Sequence, residues 1–412
     1  MSVQATITCV IFVITILLLV FKPIPIIITG AIIPTALALF GIIKADTAFA
    51  DFTNSTSIFM ICFCIIGSAF FKTGLADFLG TKIIGVLGKN EKGLLAGTGI
   101  VAGGLSAFLN DTGSTACMMP IVSSMAEKAG VKRSRLLLAL SYFASLGGCI
   151  TLAGTTPHIV ANGILKDNGL SEFAFFEYAK IGVPLLIVGI LYMMFIGVRL
   201  LPDRDIDVNV DGTKDYNLKK MPYCAAIFVF TILAMATGVI PIMLAGVIGS
   251  VLVVLTGCIT MDEAIKAIPI SSVFLVGGVF PISKALVSTG AAEFFVTQLS
   301  PVLAGFSPIA LLGGIAALQL IITQFLMNSS ATVLVLPIAL MLCQAAGINP
   351  LAGAMVVSIC ASGVFASPFG AGNNLIVMEA GGYNIQDFIK CGFPLVVLFG
   401  IVTTVLCAVF YL

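Results

Sequence analysis

The chain has 412 residues, of which 59% are apolar and 9% charged, with a mean hydropathy of +1.17 and a net charge of +1. A soluble domain carries about 25% charged residues, so this composition excludes an ordinary water-soluble enzyme or binding module. The basic residues sit in short loops, with no basic face for nucleic acid, so the expected surrounding is the lipid bilayer of a cell membrane.

In chain order, apolar runs near the roughly 20 residues that cross a bilayer lie at 3–21, 24–43, 55–72, 134–163 and 178–201. The first run lacks a basic start and continues into the second, so it reads as a span and not a cleaved signal. The only long hydrophilic stretch follows at 202–220, with five Asp and four Lys or Arg. Beyond it, further spans are expected at 222–237, 239–259, 271–288, 350–378 and 392–412. The expected units are therefore 1–201, a cytoplasmic linker at 202–220, and 221–412. Two segments, 93–128 and 309–346, carry polar clusters at their centres. Each fits a kinked through-span or a re-entrant hairpin whose tip stops at mid-membrane.

The two units echo each other. Ala107-Phe108-Leu109-Asn110-Asp111-Thr112, followed by Met118-Met119-Pro120-Ile121, recurs 217 residues later. There it reads Gln324-Phe325-Leu326-Met327-Asn328-Ser329, followed by Val335-Leu336-Pro337-Ile338. Lys72-Thr73-Gly74 is echoed by Ser288-Thr289-Gly290, and Gly154-Thr155 by Gly370-Ala371, each at an offset of 216. Loop charge sets the orientation. The loop after the first cluster holds Glu127, Lys128, Lys132, Arg133 and Arg135, whereas 344–349 holds no charge. Basic short loops stay in the cytoplasm, and five crossings per unit is odd. Both arguments place equivalent loops on opposite faces, as inverted repeats require, with both termini outside.

Polar groups at mid-membrane are costly and mark sites or helix contacts. The helix starts expected at Thr112 and Ser329 turn positive ends toward an anion, while Asp and Asn oxygens suit a hard cation. Asp111 is the one carboxylate expected deep in an apolar span. Two further stretches, Gly147 to His158 and Ser367 to Asn374, are dense in Gly and Pro, which break a helix and free its carbonyls. His158, the only His, sits beside the first break. The eleven Cys lack zinc-like spacing and read as small buried hydrophobes.

With these motifs, the chain resembles the divalent anion/sodium symporter family of the ion transporter superfamily. In that family a Ser-Asn-Thr triad occupies each of two hairpin tips, and a Gly-Thr-Pro-Pro-Asn type break follows each. The opening Pro23-Ile24-Pro25 with Thr29, Ala31, Pro34 and Gly41-Ile42 is similar too. So is the ending from Gly381-Gly382-Tyr383 through Asp387-Phe388, Gly392 and Pro394-Leu395. The resemblance implies an all-α polytopic fold of two inverted repeats, each with about five transmembrane helices, one re-entrant hairpin and a broken helix. It further implies a homodimer that carries a small anionic substrate with sodium ions by an elevator motion, with no organic cofactor and no enzymatic activity. The implied substrate-binding residues are Asn110, Thr112, Thr155, His158, Asn328, Ser329 and Asn374. One implied sodium site comprises Asp111 with carbonyls around Ser106 and Gly154; the other comprises Thr323, Asn328 and Gly370.

Four departures stand out. The triads read Asn110-Asp111-Thr112 and Met327-Asn328-Ser329. The breaks carry Thr156 and His158 in the first, and Gly372 and Asn373 in the second. The alternative reading is a sodium/proton antiporter of the same superfamily that exchanges protons on Asp111. An intramembrane hydrolase is disfavoured: Ser362-Gly363 lacks the leading Gly of a serine motif, and an aspartyl site needs a second carboxylate. The topology has a direct check. Single Cys reporters on a Cys-free background are expected to label Lys132 and Lys214 from the inside and Asn349 from the outside; Lys132 and Asn349 on one face would refute the inversion.

Overall fold

A computed structural model describes residues 2–21, 23–87, 90–204, 216–303 and 305–412. Residues 205–215, most of the expected linker and Lys214 with it, lie outside the described residues. Among the described residues the chain is helical with no strand, and six helices are long and apolar enough to cross a membrane.

Helices α1 (Val3–Phe21), α2 (Ile26–Leu39) and α3 (Ser55–Lys72) open the chain; α11 (Met221–Thr237), α12 (Ile242–Leu255) and α14 (Ile270–Ser288) open the second half. These six pack together as one body. Its closest crossing is α2 on α14, where a Cβ added at Gly278 would lie 2.1 Å from the Gly30 carbonyl oxygen. Only glycine lets the two backbones meet there. The short α13 (Met261–Lys266) precedes α14 and is held by a capping box between Thr260 and Glu263.

The helices α3 and α14 end alike. Thr73 and Thr289 return their hydroxyls to Ala69 O and Ala285 O at 2.9 and 2.7 Å, and Gly74 and Gly290 follow at φ +73° and +76°. A left-handed glycine terminates a helix without steric cost. It turns the chain into α4 (Leu75–Leu87) and α15 (Ala291–Leu303), two short helices that sequence reading missed.

The second body contains α5 (Glu91–Ser106), α6 (Asp111–Lys128), α7 (Ser134–Gly148) and α8 (Thr156–Asp167), then α9 (Ala179–Tyr192) continuing through a π-turn into α10 (Val198–Leu200). From the second half it takes α16 (Pro308–Thr323), α17 (Asn328–Ala345), α18 (Pro350–Cys360), α19 (Gly372–Gly381) and α20 (Ile385–Tyr411). Ser114 Oγ donates to Ala102 O at 3.4 Å. Twelve residues of straight helix would hold those residues about 18 Å apart, so α5 and α6 fold back as a hairpin. The kinked through-span is excluded. Helices α16 and α17 also pack on each other and on α18. The segments expected as spans at 134–163 and 350–378 are interrupted, between α7 and α8 and between α18 and α19.

The two bodies meet along apolar faces and at one polar seam. Three successive residues at the end of α8 reach across it. Lys166 donates to Ser55 Oγ at 3.0 Å, Asn168 donates to Ser283 Oγ at 3.3 Å, and Asp167 lies 3.3 Å from Lys284 Nζ. Lys284 also binds Asp51 at 2.6 Å, so one cation holds two mostly buried carboxylates. Removing it strands both. Lys284→Met is expected to lower stability by about 1–3 kcal/mol, and adding Asp167→Asn to recover part of it. Melting temperatures of the purified single and double variants check this; equal losses in both would show that the carboxylates do not oppose each other.

Candidate functional site

Four of the second body's helices begin on one cavity of about 400 Å³. They are α6, α8, α17 and α19, starting at Asp111, Thr156, Asn328 and Gly372. The opposite wall comes from the first body, through Met60, Phe63, Gly67, Ser68 and Phe71 of α3 and through Ala267, Pro269 and Ser272 beside α14. Sequence reading missed that wall, since Ser68 and Ser272 are isolated in largely apolar helices and form no polar cluster.

Each helix start leaves backbone N–H groups without helical partners. The α6 start satisfies its own: Asn110 Oδ1 accepts from Thr112 N and Gly113 N at 2.8 and 3.3 Å, and Asp111 Oδ1 accepts from Thr112 N at 3.1 Å. The starts of α8, α17 and α19 have no side-chain cap. Their N-cap residues are Thr155, Met327 and Ala371. Three open, positive helix ends thus share a cavity with one carboxylate-bearing end. No Lys, Arg or His is among the lining residues, and none of the ion pairs among the described residues involves Asp111.

Of the residues singled out in the sequence, Asn110, Asp111, Thr112, Gly154, Thr155, Asn328, Ser329 and Gly370 line the cavity. Helices α6 and α17 start one residue before the expected Thr112 and Ser329. Ser106, His158, Thr323 and Asn374 are fully buried behind the lining. Ser106 Oγ has no partner and faces Gly148 together with Gly154 O. A buried orphan oxygen beside a freed carbonyl is what a cation would complete.

His158 braces the first break. Its Nδ1 lies 2.8 Å from Thr151 O and its ring stacks on Tyr178 with centroids 3.8 Å apart. Thr151 Oγ1 in turn donates to Ala107 O, tying the break to the first hairpin turn. Asn374 is fully engaged too: its Oδ1 accepts from Ser141 Oγ, and its Nδ2 donates to Val364 O and Ser367 O at 2.7 and 2.9 Å. Asn373 Nδ2 shares its two N–H groups among Ser141 O, Ser141 Oγ and Ser145 Oγ, each 2.9 Å away. This pair fastens the second break to α7.

Around the second hairpin tip, Thr323 Oγ1 donates to Ala361 O at 2.7 Å and lies 3.5 Å from Asn328 Oδ1. With its amide nitrogen turned inward, Asn328 donates to Gly370 O and Ala361 O at 3.0 and 3.2 Å. Thr323, Asn328, Ala361 O and Gly370 O thus converge around the second hairpin tip.

The citrate transporter family matches residues 16–357. This chain belongs to that family. Among curated relatives it is similar to the uncharacterized transporter YfbS of Escherichia coli, with 21% identity over 88% of this chain and 92% of the relative. It is also similar to the sodium-dependent dicarboxylate transporter SdcS of Staphylococcus saprophyticus, with 24% identity over 90% and 79%. Among solved structures, the YdaH transporter of Alcanivorax borkumensis shares the fold, with a TM-score of 0.69, 13% identity and 98% coverage of both chains. The chain is a multi-pass membrane transporter, not an enzyme, and the family resemblance read from the paired tips is borne out.

The brace at the second break has its own test. Asn374→Ala leaves two buried carbonyls without donors, at about 1–3 kcal/mol each. The expected result is a lower melting temperature; an unshifted melting curve would show that water replaces the amide.

Proposed function

We propose that the protein is a secondary active carrier that takes up a small anion together with sodium. The anion is a dicarboxylate or a related carboxylate or oxyanion. The observation that carries this reading is a cavity with three open helix ends, one carboxylate and no basic side chain. An anion entering it meets partial positive charge, yet full neutralisation needs cations brought from solution. Relatives named as sodium-dependent dicarboxylate transporters support both halves of the reading.

In this reading Asn110, Thr112, Thr155, Asn328 and Ser329 hold the anion, while His158 and Asn374 shape the breaks that present the helix ends. Asp111 with Ser106 and Gly154 forms one sodium site. Thr323, Asn328 and Gly370, with Ala361 O, form the other. The two-body architecture supports an elevator motion, since both hairpins and both broken helices belong to the second body and the cavity lies against the first. The units 1–201 and 221–412 are proposed as inverted repeats in a homodimer.

The unpaired Asp111 also favours a second reading, sodium/proton exchange on that carboxylate. Uptake of labelled succinate into proteoliposomes under a sodium gradient, against a proton gradient, tests the first reading. Asp111→Asn separates the two. With sodium beside Asp111, the variant is expected to lose much of its sodium dependence and keep anion recognition. With a proton there, it would lose pH dependence and keep sodium dependence. A variant indistinguishable from wild type in both series would refute either role for Asp111.

A further inference from the structure

Gln324 lies in the second hairpin turn, next to Thr323, and is the one polar side chain of that turn outside the proposed binding set. Its amide is fully used. Nε2 donates to Leu320 O and to Gly363 O, both at 2.9 Å, and Oε1 accepts from Ala366 N at 3.1 Å. Gly363 and Ala366 belong to the second break, where backbone groups have lost their helical partners. One side chain therefore satisfies a donor and an acceptor of the break, from the turn opposite.

The same break carries the oxygens of the second proposed sodium site. Ala361 O, two residues before Gly363, accepts from Thr323 Oγ1 and faces Asn328; Gly370 O completes the cluster from the far end of the break. Gln324 and Thr323 are neighbours on one turn, and both grip the 361–366 segment.

The first half fastens its turn at the same repeat position by other means. Ala107 corresponds to Gln324 at the 217 offset, and its carbonyl accepts from Thr151 Oγ1 of the first break. Thr151 corresponds to Ser367 at the 216 offset, and both hydroxyl oxygens accept from the backbone two residues on, Ala153 N and Phe369 N, each at 3.2 Å. In the second half the link between turn and break is instead made by the Gln324 side chain.

We propose that Gln324 is the positioning residue of the second cation site: it sets the course of the 361–366 segment and so aims Ala361 O at Asn328 and the ion. This rests on the sodium-coupled reading above. Outer partners that orient a ligand typically change metal affinity by about ten- to a hundred-fold when removed.

The test compares Gln324→Leu, which keeps the volume but none of the three hydrogen bonds, and Gln324→Met, which packs more freely, with wild type. Purified proteins are titrated with sodium chloride against choline chloride at constant ionic strength, reading the melting temperature, and succinate uptake is followed over the same series. The expected result is a half-saturating sodium concentration raised about ten-fold, with the maximal rate at saturating sodium within about two-fold of wild type. An unchanged half-saturating concentration, with rate or melting temperature lowered equally at every sodium level, would overturn the proposal and leave Gln324 a structural brace. If the Leu variant fails to fold, the Met variant decides by the same criterion. A wild type with no sodium response at all would sink the sodium-coupled reading itself, and this inference with it.

Discussion

Unpaired backbone at the centre of an apolar protein is the constraint on which everything else here depends. Breaking a helix inside the membrane exposes N–H and C=O groups where no bulk water reaches, and each orphan costs on the order of 1–3 kcal/mol. The second body breaks helices four times, at two hairpin turns and two mid-helix interruptions, and brings all four together. The surrounding polar side chains are spent on this debt: Asn110 on α6, Thr151 and His158 on the first break, Gln324, Asn373 and Asn374 on the second. The uncapped starts of α8, α17 and α19 open onto the cavity. The site is therefore the residue of an incomplete accounting, and its open groups are mostly main-chain.

That origin explains how the bodies divide. All four breaks lie in one body, so the polar network that stabilises them is internal to it and would not need to change in the proposed motion of that body as a unit. The other body supplies a mostly apolar wall, with Ser68 and Ser272, and the seam at Ser55, Ser283 and Lys284. Contacts of this kind can be exchanged for equivalent ones more readily than the buried amide clasps can.

Much of this was legible in the sequence, for a physical reason. Polar residues at mid-span are rare enough that two matched clusters locate two hairpin tips, and Gly- and Pro-rich runs locate the breaks. Asp111, Thr112, Asn328 and Ser329 were found this way, and they line the cavity. His158 and Asn374 were found for the same reason but stand behind it, because composition cannot tell an open polar group from one committed to a neighbouring carbonyl. The α3 wall was invisible, since an apolar face on a substrate cavity and one on a lipid chain use the same residues. Helices α4 and α15 were missed because they are too short to span, and span-length apolar runs were the signal being read.

The charge pattern of the cavity carries the last step. At an effective dielectric near 20, two unit charges 4 Å apart interact by about 4 kcal/mol. An anion placed near Asp111 would meet a repulsion of that order, and three helix ends worth about half a charge each sum to about 1.5 charges, less than Asp111 and even a monovalent anion carry together. A basic side chain would remove the penalty permanently, and with it any reason for cation and anion to arrive together. A site without Lys or Arg, in the proposed reading, makes occupancy by the anion conditional on mobile cations. In the proposed reading, coupling thus follows from what the cavity lacks, and Asp111 strengthens it, because an empty cavity already holding one negative charge favours the cation first.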